Sequence, residues 1–178
     1  MERGMTVSYF FAVFPDDIAR DLTHAAAGLF GESLGLRGPL VAPEKLHMTY
    51  HFIGRFNQAL DDLEAKAIAV GDDISGARFD ITFDHALTFD GTNAASCVFA
   101  SADVPWALRN LCHRIGHPLH PTRKETHVSR PFRPHVTWLY SNDRIYGTML
   151  MSPLTWSAKS FGLASGVQGR PPYRIIRM

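Results

Sequence analysis

Leu46-His47-Met48-Thr49-Tyr50-His51-Phe52-Ile53-Gly54 is echoed later as Pro134-His135-Val136-Thr137-Trp138-Leu139-Tyr140, and this pair of stretches decides how the chain is read. Each carries His-x-Thr-x, each follows a proline by a short step (Pro43, then Pro134), and each runs into apolar residues. A strand alternates its faces with period two, so His and Thr at i and i+2 point the same way. Each copy thus offers one imidazole and one hydroxyl on a single face. One His-x-Thr is a weak signal, because a lone strand histidine is usually a packed or surface residue and Thr favours strands for steric reasons. Two copies, separated by about half of the 178 residues, point instead to two similar half-units sharing a site at their junction. Two facing imidazoles suit metal-free phosphoryl transfer, with one as general base and the other as general acid.

Outward from these stretches the chain reads as a mixture of strands and helices. Val7 to Phe14 is rich in aromatic and β-branched residues and predicts a strand. Pro15-Asp16-Asp17 predicts a helix start, with apolar Ile18, Leu22, Ala25, Ala26 and Leu29 on the way to Gly31. Further helices are expected over Ala59–Val70 and Pro105–Leu119. Strands are expected over Leu46–Ile53, Phe79–Phe89, Ser96–Ser101, His135–Tyr140, Thr155–Ala164 and Tyr173–Ile176. The segment from His117 to Phe132 reads as a polar, proline-rich loop. This is an α+β pattern. The length fits one unit, residues 1–178, or two intimate lobes.

Composition narrows the function classes. Hydrophobic content of 46% with 20% charged residues is ordinary globular composition. A net charge of +1 excludes a polycation, so any nucleic-acid contact must be local. Arg109, Arg114, Arg123, Lys124, Arg130 and Arg133 form a local basic bias ahead of the second motif and are candidates for a phosphate-attracting rim. Cys97 and Cys112 stand in no metal-like spacing and imply no disulfide framework; Cys97 reads as core. Neither a signal peptide nor a membrane span is apparent, so a reducing cytoplasm is the default. His113 and His117 share helical i, i+4 spacing, yet Pro118 and the lack of a neighbouring carboxylate argue against a metal site. No Gly-x-x-x-x-Gly-Lys run and no ligase-type lysine motif occur, so no cofactor is implied. Strict alternation places His51 on the motif face and turns Phe52 and Tyr140 away from it.

Beyond the two His-x-Thr-x blocks, the opening Tyr9-Phe10-Phe11-Ala12-Val13-Phe14-Pro15, the run Pro43 to Gly54 and the run Arg130-Pro131-Phe132-Arg133-Pro134-His135-Val136-Thr137 resemble the 2H phosphoesterases. The match is to the RNA 2′,3′-cyclic phosphodiesterases, also called 2′-5′ RNA ligases. The resemblance implies two lobes, each an antiparallel sheet covered by helices, with a groove between them carrying both motifs. It implies hydrolysis of a 2′,3′-cyclic phosphate at RNA or nucleotide ends to a 2′-phosphate, with His47 as proton donor and His135 as proton acceptor. Thr49 and Thr137 would hold the non-bridging phosphate oxygens. RNA 2′-5′ end ligation, and RNA-end binding with slow turnover, remain as alternatives. No protein partner is implied and a monomer is expected.

The chain departs from that family at three places. Leucine is usual at the positions of Tyr50 and Trp138. Many relatives carry arginine where Tyr140 stands. A tyrosine cannot grip phosphate bidentately, so this chain should depend less on a neighbouring phosphate, with Arg130 or Arg133 as candidates to compensate. Tyr140 and His51 complete the candidate rim.

Overall fold

The computed structural model describes residues 6–74, 78–90, 95–119, 132–167 and 174–177, with nothing stated of the side chains of His117 and Arg177. Arg123, Lys124, Arg130 and Tyr173 lie outside the described residues.

Two four-stranded antiparallel sheets and three α-helices make up the fold. The first sheet has the order β2-β1-β7-β8, from β1 (Val7–Val13), β2 (Met48–Phe56), β7 (Gly162–Val167) and β8 (Arg174–Arg177). The second has the order β5-β4-β3-β6, from β3 (Phe79–Phe89), β4 (Ala95–Ala100), β5 (His135–Ser141) and β6 (Thr148–Ala158). The half-units expected from the spacing of the motifs are therefore not sequential halves, because both ends of the chain build the first sheet. Each motif strand, β2 and β5, is an edge strand of its sheet, and the two touch one another.

The helices are α1 (Asp17–Ser33), α2 (Asp61–Asp72) and α3 (Trp106–Leu119). The Asp16 side chain caps α1 by accepting from the Ala19 N–H at 2.9 Å. At its other end Gly35 takes a left-handed φ of 63°. There Leu36 N donates to Gly31 O and Gly35 N to Glu32 O, the paired bonds that close a Schellman turn.

The buried stripe of α1 is Ala19, Thr23, Ala27 and Gly31, whereas Ile18, Leu22 and Leu29 are exposed. The apolar face expected from the leucines is thus rotated by one residue. Small side chains win because two tryptophans occupy the space beneath. The Trp138 ring lies 3.5 Å from where a Cβ on Gly31 would stand, and Trp156 Nε1 donates to the buried Thr23 hydroxyl at 2.9 Å.

The single strand expected over Thr155–Ala164 is two. β6 pairs with β3 in one sheet and β7 with β1 in the other, so Lys159-Ser160-Phe161 is the crossover between sheets. Apolar patterning runs through both strands and hides the break. One large core joins the inner faces of both sheets to the helices. Two small clusters lie on the opposite faces: Phe10, Ala12 and Ala164 on one sheet, and Leu87, Val98 and Ala100 on the other. No helix among the described residues is long and apolar enough to cross a membrane.

Candidate active site

His47 follows a single 3₁₀ turn, Pro43–Lys45, and immediately precedes β2. Proline starts that turn without losing a hydrogen bond, since its missing N–H falls where no partner exists. The turn leaves the Lys45 carbonyl at 2.7 Å from His47 Nδ1. The second copy repeats the device. Pro134 holds Arg133 extended, and the Arg133 carbonyl lies 2.8 Å from His135 Nδ1. A carbonyl can only accept, so each ring donates from Nδ1–H and its chemistry is left to Nε2. Main-chain carbonyls two residues upstream thus set the same tautomer in both histidines.

Burial pushes the His47 imidazole below its ordinary value, the Lys45 carbonyl acts the other way, and charge on His135 lowers it further. Burial also lowers the His135 imidazole, opposed by the Arg133 carbonyl. The two rings are therefore electrostatically coupled. Both favour the neutral form near neutrality. His47 stacks on Phe10, with centroids 5.1 Å apart, and lies 6.2 Å from Phe14. Phe89 meets His135 edge-on at 4.8 Å.

The register of the sheets fixes which residues accompany the histidines. Thr49 pairs with Ala12 and Thr137 with Val98, members of the two small apolar clusters outside the main core. Both threonines are half-buried. The next residue of each motif then breaks alternation. Phe11 pairs with His51 and Ala12 with Thr49, leaving Tyr50 as the extra residue of a bulge. Likewise Cys97 pairs with Leu139 and Val98 with Thr137, leaving Trp138 extra. A bulge reverses the facing of everything after it.

Three expectations are overturned as a result. Phe52 pairs with Phe10 and shares the face of Thr49, half-exposed at 50%. Tyr140 pairs with Ser96 and shares the face of His135 and Thr137. His51 instead pairs with Phe11 on the core side and packs against α3, where a Cβ on Gly116 would lie 3.3 Å from its ring. It is not a rim residue.

Among the described residues the basic rim is smaller than its sequence suggests. Arg109 donates to the Val104 carbonyl and Arg114 to the Asp73 carbonyl, tying both to the outer, helical side. Arg133 is half-buried and contributes its carbonyl to His135. Arg130 falls outside the described residues.

Sequence reasoning missed two residues on the motif faces of the sheets. A second register shift, at Ile53, pairs Arg55 with Ser8 on the Phe10 face of β1. His85 pairs with Ala100, which pairs with His135, so a third imidazole stands two strands along from the second. Its Nδ1 lies 2.6 Å from Asp84, and the Asp84 carboxylate also accepts from Ala102 N. The signal for the bulges was present in the sequence, as consecutive bulky residues (Tyr50-His51, Trp138-Leu139) where alternation calls for one.

A cavity of about 320 Å³ lined by Phe11, Val13, Ile68, Leu111 and Phe161 lies on the opposite face of β1 and touches neither motif. Among the described residues no group of three or more His, Cys, Asp or Glu side chains is placed to hold a metal ion.

Comparison with known proteins agrees with the fold. The model of the 2′-5′ RNA ligase superfamily matches residues 12–163. No curated protein sequence matches significantly. Among solved structures, Escherichia coli LigT in its apo form superposes with a TM-score of 0.72 at 21% identity, covering 97% of this chain and 95% of that one. TT0787 of Thermus thermophilus gives 0.69 at 20% identity, covering 96% and 95%. Usb1 of Kluyveromyces marxianus gives 0.54 at 8% identity, covering 98% of each.

Proposed function

The chain belongs to the 2′-5′ RNA ligase superfamily, the 2H phosphoesterases, and we propose that within it this protein hydrolyses 2′,3′-cyclic phosphates at RNA or nucleotide ends to 2′-phosphates without a metal. The observation that carries this reading is the matched pair of imidazoles, each with Nδ1 held by a carbonyl two residues upstream, a tautomer in which Nε2 is the atom that exchanges a proton.

The proposed reaction is an in-line displacement at phosphorus. Water attacks from the side of His135, whose Nε2 takes its proton. The P–O3′ bond breaks, and His47 Nε2–H delivers a proton to the departing O3′. The 2′-ester bond remains, giving a 2′-phosphate and a free 3′-hydroxyl. The enzyme ends with the protons exchanged between its two histidines and resets through solvent. Thr49 and Thr137 donate to the non-bridging oxygens, whose interactions strengthen in the transition state.

His47 must be protonated to act as acid, yet burial favours its neutral form. The arriving phosphodiester resolves this, because an anion beside the ring raises its proton affinity. Protonation is thereby coupled to substrate binding. His135 meanwhile stays available as a base.

The direct test is incubation with 2′,3′-cyclic mononucleotides and a cyclic-phosphate-terminated oligonucleotide, with product identification. Ring opening to the 2′-phosphate supports the reading. Joining of RNA ends without hydrolysis points to the ligase direction, and binding with no turnover points to an end-binding protein.

A further inference from the structure

We propose that Arg55 binds the first internucleotide phosphate of an RNA end, so that cyclic-ended oligonucleotides are preferred over cyclic mononucleotides. This inference rests on the proposed cyclic-phosphate chemistry and deepens it.

The argument begins with β1, whose pairing to β7 is regular from Val7 to Ala12. Ser8, Phe10 and Ala12 therefore share one face, the face on which Phe10 stacks against His47. Their partners on β2 are Arg55, Phe52 and Thr49. Two bulges in β2 thus convert a spacing of three residues in sequence into a ladder that matches steps of two on β1. Thr49, Phe52 and Arg55 follow one another at steps of two β1 residues, or ~7 Å each. A nucleotide has as many backbone bonds per repeat as a dipeptide, so the ladder suits a nucleic-acid strand. With the cyclic phosphate at Thr49, Phe52 offers an aromatic face to the base. An arginine reaching back from the next rung then meets the phosphate on the 5′ side of that nucleotide.

The surroundings of Arg55 fit this role. It is exposed, and among the described residues none forms a hydrogen bond or ion pair with its guanidinium. Its row neighbours are Ser8 and Gly166, which leave open space above the sheet. A guanidinium binds phosphate through two parallel N–H donors. It would supply from β2 the grip that Tyr140 does not give from β5.

The test compares kcat/KM for adenosine 2′,3′-cyclic phosphate, which lacks the second phosphate, with that for the dinucleotide ApA ending in a 2′,3′-cyclic phosphate. Arg55→Ala should lower the dinucleotide value by about 10- to 100-fold, the scale of one charged hydrogen bond, and leave the mononucleotide value within about twofold. Arg55→Lys should fall between. A dinucleotide with an uncharged methylphosphonate linkage should make the wild type behave like Arg55→Ala. Equal losses on both substrates, an unchanged dinucleotide value, or full activity on the methylphosphonate would each overturn the assignment. A wild-type protein that opens neither substrate would instead refute the cyclic-phosphodiesterase reading, and this inference with it.

Discussion

Tyr50 and Trp138 occupy corresponding places: each lies three residues after its histidine, each is the extra residue of a β-bulge, and each is buried in the core. The bulge sends two consecutive side chains inward, Tyr50 with His51 and Trp138 with Leu139. The groove face then resumes at Phe52 and Tyr140. The pseudo-symmetry of the site is thus deeper than the His-x-Thr-x pattern and includes a matched defect in two edge strands.

Replacing either histidine should cost most of the activity. His47→Ala and His135→Ala are each expected to lower kcat by about 10²–10⁴-fold, the usual scale for a positioned acid or base. Steady-state kinetics on a cyclic nucleotide checks this, with circular dichroism confirming the fold. A variant retaining near wild-type turnover would remove that residue from the mechanism. The pH–rate profile should be bell-shaped, its limbs belonging to the coupled pair.

Stability should fall on mild acidification. Burial holds both imidazoles below their ordinary value in the folded protein. The unfolded chain therefore takes up protons first. The stabilisation is complete above the unfolded value of about 6.5 and is lost as pH falls through the lower folded values. Urea midpoints should drop between pH 7.5 and 5, and by less in the His47→Gln/His135→Gln double variant. Asp84 and Asp143, both held below the usual carboxylate value, act with the same sign in a lower window, below about 3.9. An equal drop in wild type and double variant would show that the histidines are not the cause.

Gly38 should tolerate no side chain. Its φ is 145°, and a Cβ there would lie 2.2 Å from the Tyr140 carbonyl oxygen. The segment it starts runs along the outer edge of β5, with Val41 N donating to Trp138 O at 2.8 Å and Leu40 bridging to Leu139. Gly38→Ala is expected to destabilise by about 1–3 kcal/mol and to raise KM by disturbing Tyr140. Thermal unfolding and kinetics check both. A variant as stable as wild type would mean that this edge yields freely.

Tyr140 should tune substrate range. Because the bulge brings it to the groove face, Tyr140→Arg is expected to raise kcat/KM for a cyclic-ended oligonucleotide relative to a cyclic mononucleotide. An unchanged ratio would make Tyr140 structural. Phe52→Ala should raise KM for both substrates, since losing one base–aromatic stack costs about 1–3 kcal/mol, with little change in kcat.

Legibility in the sequence followed the regularity of the backbone. Phe79, Ile81 and Phe83 alternate in sequence, and the expected bounds Phe79–Phe89 match β3 end to end although its pairing with β6 shifts between Phe83 and His85. The two histidines and threonines were legible because the pattern repeats and the strand is regular from His to Thr. His51, Phe52 and Tyr140 were misplaced because one inserted residue reverses facing, and strict alternation passes over the consecutive bulky residues that mark each bulge. Arg55 was hidden by a second shift in the same strand. The buried stripe of α1 was misread because packing against Trp138 and Trp156 favours small residues over leucines, a demand set by distant parts of the chain. The β6–β7 break was invisible because crossing from sheet to sheet does not interrupt apolar patterning.

The central claim is that two imidazoles alone move the protons of cyclic-phosphate opening. It is tested most directly by ³¹P NMR of a cyclic-phosphate-ended RNA incubated with the protein in excess EDTA. The account predicts conversion to the 2′-phosphate by the wild type, and at least about a hundredfold slower conversion by His47→Ala and by His135→Ala. Loss of wild-type activity in EDTA with rescue by a divalent metal would contradict it, as would undiminished conversion by either histidine variant.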